Sequence, residues 1–377
     1  MSKSQFPAST RRLLIVGAYG VVGEQIVELM ATENKNVELW LAGRSQEKAA
    51  ALASRFEGAR SLRVDMDDAD PLAKIGMLPD AVLAVANDSE DNLLSACVKR
   101  GIAYIDITRW TDRMLSAVKK FEGEDLMSPV ILASAWMAGV VATVVADAAQ
   151  KLKQIDRVEF DVLYALKDRA GPNSIEYVDR LRVPFNVMID GASIQKKPFT
   201  DPQQVRFSGS RVFETMRFDT PDQYTLPKIL SIPTVSGRIG YDDNKTMGFM
   251  KFMLKTGLWT LISRPMFDNL RRSLIYNPGP GAAHEIQLNI IGQELPNNAV
   301  YEHITISDPL GQTHMTAAGA LLQVERVFGL HGLNRPPVGI SHPEAVSGDA
   351  ALGVERLRQM GVDVLGSSLV SSGNSER

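Results

Sequence analysis

The stretch Arg11-Arg12-Leu13-Leu14-Ile15-Val16-Gly17-Ala18-Tyr19-Gly20-Val21-Val22-Gly23 decides the fold. Leu13 to Val16 is a short, unbroken apolar run, which fits a strand buried on both faces of a parallel sheet. Beyond the glycines, Val22, Ile26, Leu29 and Met30 recur at helical spacing with Glu24, Gln25 and Glu28 between them, so a helix follows at once. The glycines therefore lie in a strand-to-helix turn. Glycine suits such a turn because the backbone must bend sharply and approach a diphosphate closely, while free N–H groups at the helix N-terminus face the negative charge. The spacing is G-x-x-G-x-x-G, and it is the flanking strand and helix that give it meaning. Gly17, Ala18, Tyr19, Gly20, Val21, Val22 and Gly23 are accordingly candidate dinucleotide-binding residues. The alternative is a turn that merely packs helix on strand.

The second half of such a site falls at the end of the next strand, Val37 to Ala42, where an Asp or Glu would accept a hydrogen bond from the ribose of NAD. This chain has Gly43-Arg44-Ser45 instead. A carboxylate repels a 2′-phosphate, whereas a guanidinium and a hydroxyl bind one, so the expected cofactor is NADP. The other reading makes Arg44 a solvated surface residue and Ser45 the N-cap of the next helix.

The 377 residues suffice for two domains, and 45% hydrophobic with 23% charged is ordinary for a globular chain. A net charge of -3 without a long basic run argues against nucleic acid and for a small-molecule substrate. The polar N-terminus has no apolar signal core, which leaves the cytoplasm as the expected location. The single cysteine, Cys97, excludes an internal disulfide, and five scattered histidines show no metal-binding spacing, so no metal is expected.

Along the chain, Ser45 to Phe56 reads as a helix and Arg60 to Asp65 as a strand whose end borders the adenine in dinucleotide folds. Asp65 and Met66 are candidates there, a solvated acidic loop being the alternative. Ala81 to Ala86 is a fourth buried strand, with Ala86 and Asn87 at the carboxyl end where open α/β sheets bind ligands. Tyr104 to Thr108 and Val130 to Ser134 follow as strands five and six, each after a helical stretch. This alternation predicts a Rossmann-type doubly wound parallel sheet. From Arg157 to Leu166, and again at Ile286–Ile290 and Val300–Ile306, apolar residues alternate with polar ones, so a second α/β domain on a mixed or antiparallel sheet is expected. The segment Pro172 to Pro233 is less legible. Met247 to Ile275 reads as a long apolar helical stretch, interrupted by Lys251 and Lys255, that is too charged to span a membrane. Packing in the core or in a homodimer contact is expected, and a membrane-surface helix is the alternative.

Four stretches together resemble the saccharopine dehydrogenase-like (saccharopine reductase-like) family of NADP-linked oxidoreductases: Gly17 to Gly23, Leu41 to Ser45, Tyr104 to Thr108, and Pro336 to Glu344. The resemblance implies a Rossmann domain over residues 1–150, a substrate and dimerisation domain over 151–330, and a segment 331–377 that packs back on the first domain. It also implies hydride transfer to or from a C=N bond of an imine or opine-type amino acid or polyamine. Other readings are reduction of another double bond, such as an enoyl group in an apolar substrate, or a non-catalytic NADP-binding regulator.

Hydride transfer needs few side chains beyond a proton donor and a group that fixes the substrate carboxylate. Strand five ends in Asp106-Ile107-Thr108-Arg109-Trp110. Alternation places Asp106 and Thr108 on one side, so a strand that stops near Thr108 frees Arg109 to hold a carboxylate in the cleft. Asp106 and Arg109 are the catalytic candidates and Thr108 a cofactor contact; the alternative leaves Asp106 capping a turn and Arg109 in solvent. A thioester mechanism needs an activated cysteine, and Cys97 falls inside a helical pattern.

Overall fold

The computed structural model describes residues 11–168, 180–267, 281–295, 298–345 and 348–370. The chain divides into two compact units, Met1–Val140 with Thr316–Asp349, and Val141–Met315 with Ala350–Arg377.

The first unit is built on β1 (Arg11–Val16), β2 (Val37–Gly43), β3 (Arg60–Arg63), β4 (Ala81–Ala84), β5 (Ala103–Asp106) and β6 (Pro129–Leu132). Leu13, Leu14, Ile15 and Val16 are buried, as are all seven residues of β2, because helices cover both faces of the sheet. Those helices are α1 (Val21–Glu33), α2 (Gln46–Ala53), α3 (Asn92–Arg100) and α4 (Thr111–Lys120). Cys97 is wholly buried on α3, where burial pushes its thiol pKa well up, so it is a packed side chain and not an activated thiolate. Strand β5 ends at Asp106, two residues earlier than the sequence suggests, because Asp106 bonds the Thr108 amide and turns the chain.

The chain passes to the second unit within α5 (Trp136–Lys151). The sheet of that unit contains β7 (Gln154–Tyr164), β8 (Phe185–Ile189), β9 (Ala192–Lys196), β10 (Gln203–Arg206), β11 (Val212–Arg217), β12 (Thr234–Tyr241), β13 (His284–Leu295) and β14 (Asn298–Asp308). Strands β12 and β7 are parallel and β7–β13 and β13–β14 antiparallel, so the sheet is mixed, as the alternating pattern predicts. Val158, Phe160 and Val162 share a buried face with Ile286, Leu288 and Ile290.

The remaining helices among the described residues are α6 (Asp222–Leu230), α7 (Asn244–Lys255), α8 (Leu258–Ile262), α9 (Gln312–Phe328) and α10 (Ala350–Gln359). The expected long helix from Met247 is broken, since Gly257 at φ +77° separates α7 from α8, and Ile275 lies outside the described residues. Met247, Met250 and Met253 are buried, whereas Phe249 and Phe252 are 58% and 56% exposed. The stretch is therefore two-faced and not buried throughout. Among the described residues no helix is long and apolar enough to cross a membrane.

The C-terminal segment divides. Strand β15 (Gly339–Ser341) pairs with β6 and completes the first sheet, whose order among the described residues is β15-β6-β5-β4-β1-β2-β3. Helix α10 and β16 (Asp363–Val370) belong instead to the second unit, where β16 pairs with β14 and extends that sheet.

Candidate functional site

The glycine turn has the geometry that the sequence predicts. Gly17 takes φ +94°, and a Cβ there would stand 3.1 Å from the Ala86 amide nitrogen, so the ends of β1 and β4 approach too closely for a side chain. At Gly23 a Cβ would meet the Gly17 carbonyl oxygen at 2.2 Å, which lets α1 press against the turn. The amides of Gly17 and Ala18 donate to the Ala42 carbonyl at 2.9 and 3.1 Å. Gly20 is the N-cap of α1 and makes no side-chain cap, so Val21 and Val22 open a helix terminus suited to an anion.

At the end of β2, Tyr19 lies over Gly43 and its hydroxyl accepts from the Ser45 amide at 2.9 Å. Arg44 is exposed and makes no ion pair among the described residues. Ser45 caps α2, its hydroxyl accepting from the Lys48 amide at 3.3 Å. On the neighbouring strand end, Asp65 accepts from Arg63 at 3.1 Å, and the Met66 carbonyl accepts from Asn92 at 3.1 Å. Both residues are half-buried beside the β2 end. Asn87, after β4, accepts from the Arg113 guanidinium.

The residues proposed for catalysis are elsewhere engaged. Arg109 is 0% exposed. Its Nε donates to Asp106 Oδ2 at 2.8 Å, its Nη1 to Asp91, and its Nη2 lies 3.8 Å from Asp88 Oδ2. Burial pulls the guanidinium pKa down, but Asp106, Tyr104 and Asp91 outweigh it and leave Arg109 more basic than usual. Asp106 is also wholly buried and accepts from the Tyr104 hydroxyl at 2.8 Å, the Thr108 amide at 2.8 Å and the Thr108 hydroxyl at 2.9 Å. Asp88, raised by burial against the opposing bonds of Leu93 and Leu94, completes the cage.

This geometry corrects two expectations. Arg109 does not swing into a cleft, because its guanidinium is surrounded by Asp88, Asp91 and Asp106. Asp106 is saturated by that guanidinium, Tyr104 and Thr108, and so is not poised to relay a proton. Thr108 is buried and its hydroxyl donates to Asp106 at 2.9 Å.

The sequence reading missed the turn after β6. Met137, Ala138 and Gly139 take φ of +53°, +54° and +89°, three successive left-handed residues at the start of α5. A Cβ on Gly139 would meet the Pro343 ring at 2.4 Å, and one on Gly319 the Met137 carbonyl at 2.2 Å, so both contacts over-determine the strained turn. His303 is half-buried with Nδ1 2.7 Å from Asn289 Oδ1.

A doubly wound parallel sheet with a glycine turn between its first strand and helix defines the first unit as a dinucleotide-binding domain of the Rossmann type. Residues 13–127 match the saccharopine dehydrogenase NADP binding domain. In fold it is similar to apo histidine-tagged saccharopine dehydrogenase (L-Glu forming) from Saccharomyces cerevisiae. The two are 12% identical over 95% of this chain and 100% of that one, with a TM-score of 0.67. A myo-inositol dehydrogenase from Corynebacterium glutamicum overlaps less well, at 13% identity, 96% and 99% coverage and a TM-score of 0.44. A scyllo-inositol dehydrogenase from Lactobacillus casei with bound NAD(H) and scyllo-inositol gives 11%, 94% and 99%, and 0.41. No curated protein matches the chain. The NADP-binding domain supports an oxidoreductase.

Proposed function

We propose that the chain is an NADP(H)-dependent oxidoreductase that transfers hydride to or from a C=N bond of an imine or opine-type substrate. The observation that carries the cofactor assignment is the β2 end, where Arg44 is exposed with no ion pair among the described residues and no carboxylate occupies positions 43 to 45. NADP(H) would lie along Gly17 to Gly23 with its diphosphate at the start of α1, its 2′-phosphate at Arg44 and Ser45, and its adenine beside Asp65 and Met66. Ala86 and Asn87 would border the cofactor at the end of β4.

The C=N assignment rests on the family likeness of the first domain. Arg109 and Asp106 are engaged in the cage, so other groups fix the substrate and donate the proton. The exposed Phe249 and Phe252 face supports a homodimer contact in the second unit. It equally suits the second reading, in which the reduced bond belongs to an apolar substrate.

The test is NADPH oxidation, followed spectrophotometrically, against a panel of imines, opine-type adducts and enoyl substrates. Turnover with imines alone is the expected result, and enoyl turnover selects the second reading. Tight NADPH binding with no turnover on any of them would make the protein a nucleotide-binding regulator.

A further inference from the structure

Position 43 closes β2, the strand end at which dinucleotide folds read the adenosine ribose, and it carries no side chain. Its volume is filled by Tyr19. A Cβ built on Gly43 would stand 2.6 Å from both Cε1 and the hydroxyl oxygen of Tyr19, closer than any real side chain tolerates. The Tyr19 hydroxyl accepts from the Ser45 amide at 2.9 Å, and the Lys48 ammonium lies 5.9 Å from the ring centroid. The Ser45 hydroxyl accepts from the Lys48 amide, so its amide and its hydroxyl oxygen are both engaged within the chain. Three features thus coincide at one strand end: a ring seated on Gly43, a phenol on the Ser45 amide, and an exposed Arg44 guanidinium with no ion pair among the described residues.

The geometry points to Tyr19 as a placeholder for the adenosine end of the nucleotide. The inference rests on the reading that the first unit binds NADP(H). Without ligand the ring lies on Gly43 and the phenol satisfies the Ser45 amide. Nucleotide binding turns the ring out, and the amide passes from the phenol to the ribose substituent. Tyr19 is half-buried on a turn, and the movement is a rotation of its side chain. Every nucleotide must displace the ring, whether or not it carries a 2′-phosphate. Tyr19 therefore sets how tightly nucleotides bind, while Arg44 sets which one is preferred. Gly43 is required on this account because any side chain there would expel the ring.

Binding of NADPH, NADH and the fragment 2′,5′-ADP to wild type and Tyr19→Phe, measured by titration calorimetry, tests it. Loss of the phenol removes one hydrogen bond from the unliganded state only, so all three ligands should bind about two- to tenfold more tightly. The NADPH to NADH preference should stay unchanged. Weaker binding of NADPH by Tyr19→Phe would mean that the phenol contacts the bound ligand, and equal binding that it only packs; either overturns the placeholder. Hydrogen exchange at the Ser45 amide gives a measurement independent of ligand. Gly43→Ala should expel the ring and speed that exchange in the unliganded protein, and unchanged protection would overturn the inference. Wild type that binds neither nucleotide would overturn the NADP(H) reading and the placeholder together, whereas the other outcomes leave that reading standing.

Discussion

The guanidinium of Arg109 and the carboxylate of Asp106 meet at 2.8 Å with both side chains wholly out of solvent. Asp88 and Asp91 close the rest of the cage, and Arg113 reaches Asp91 at 3.0 Å from outside. A buried cation among three carboxylates is there to neutralise them, and its removal leaves uncompensated charge in the interior. Arg109→Ala is therefore expected to lower stability by about 3–5 kcal/mol. Arg109→Lys should rescue little of it, because one ammonium cannot span the donors of a planar fork. Urea denaturation of the three proteins measures this. A variant of full stability with only a raised KM would return Arg109 to the substrate site.

Arg44 carries the opposite expectation. It is exposed, so Arg44→Ala should leave the melting temperature unchanged while weakening NADPH far more than NADH. A charge-assisted phosphate contact contributes about 1.5–3 kcal/mol, or roughly tenfold to a hundredfold in Kd. Equal weakening for both nucleotides would remove the 2′-phosphate from this strand end.

His284 supplies a pH dependence. It is fully buried on β13 with its Nδ1 3.7 Å from Asp168 Oδ2, and burial lowers its pKa to about 3. In the unfolded chain an ordinary histidine titrates near pH 6.5, so between pH 6.5 and 3 the unfolded state binds the extra proton. The neutral ring's contribution is complete above pH 6.5 and declines as pH falls, by about 1.4 kcal/mol per unit across that window. Comparing denaturation at pH 7, 6, 5 and 4 for wild type and His284→Phe isolates this slope. Parallel pH profiles for the two proteins would show that His284 is not the group responsible.

Phe249 and Phe252 stand exposed on α7, whose Met247, Met250 and Met253 are buried. Replacing both with Asp should convert a dimer to a monomer in light scattering coupled to gel filtration, with the methionine side still packed. A monomeric wild type would exclude the dimer contact, and co-sedimentation of that wild type with anionic liposomes would assign the face to a membrane surface.

How much of this was legible in the sequence depends on the range of the interactions. The turn from Leu13 to Gly23 and the order of the parallel strands follow from local pattern, since each β-α step writes its own burial into consecutive residues. Strands β8 to β11 did not announce themselves: β9 (Ala192–Lys196) is mostly exposed, and a strand without a buried face leaves no alternation to read. At the site, spacing identified Asp106 and Arg109 as a charged pair at a strand end but misjudged their destination. The partners that cage Arg109 come from Asp88 and Asp91, on the loop after the neighbouring strand, and no local period reports a contact between loops. Tyr19 was visible as part of the glycine turn, while its seat on Gly43 depends on a side-chain direction that sequence does not carry.

The left-handed turn at Met137 to Gly139 bears on the order of events at the ribosome. Its contacts with Gly319 and Pro343 cannot exist until those residues have been synthesised, roughly 200 residues after the turn itself, or about 10–40 s at ordinary elongation rates. Strand β15, which completes the first sheet beside β6, arrives equally late. A nascent chain must therefore hold its nucleotide-binding half unfinished while the whole central region emerges. A release-arrested chain ending at residue 315 should accordingly be cut by protease near Trp136, and protection there would show that the turn forms without its distant supports.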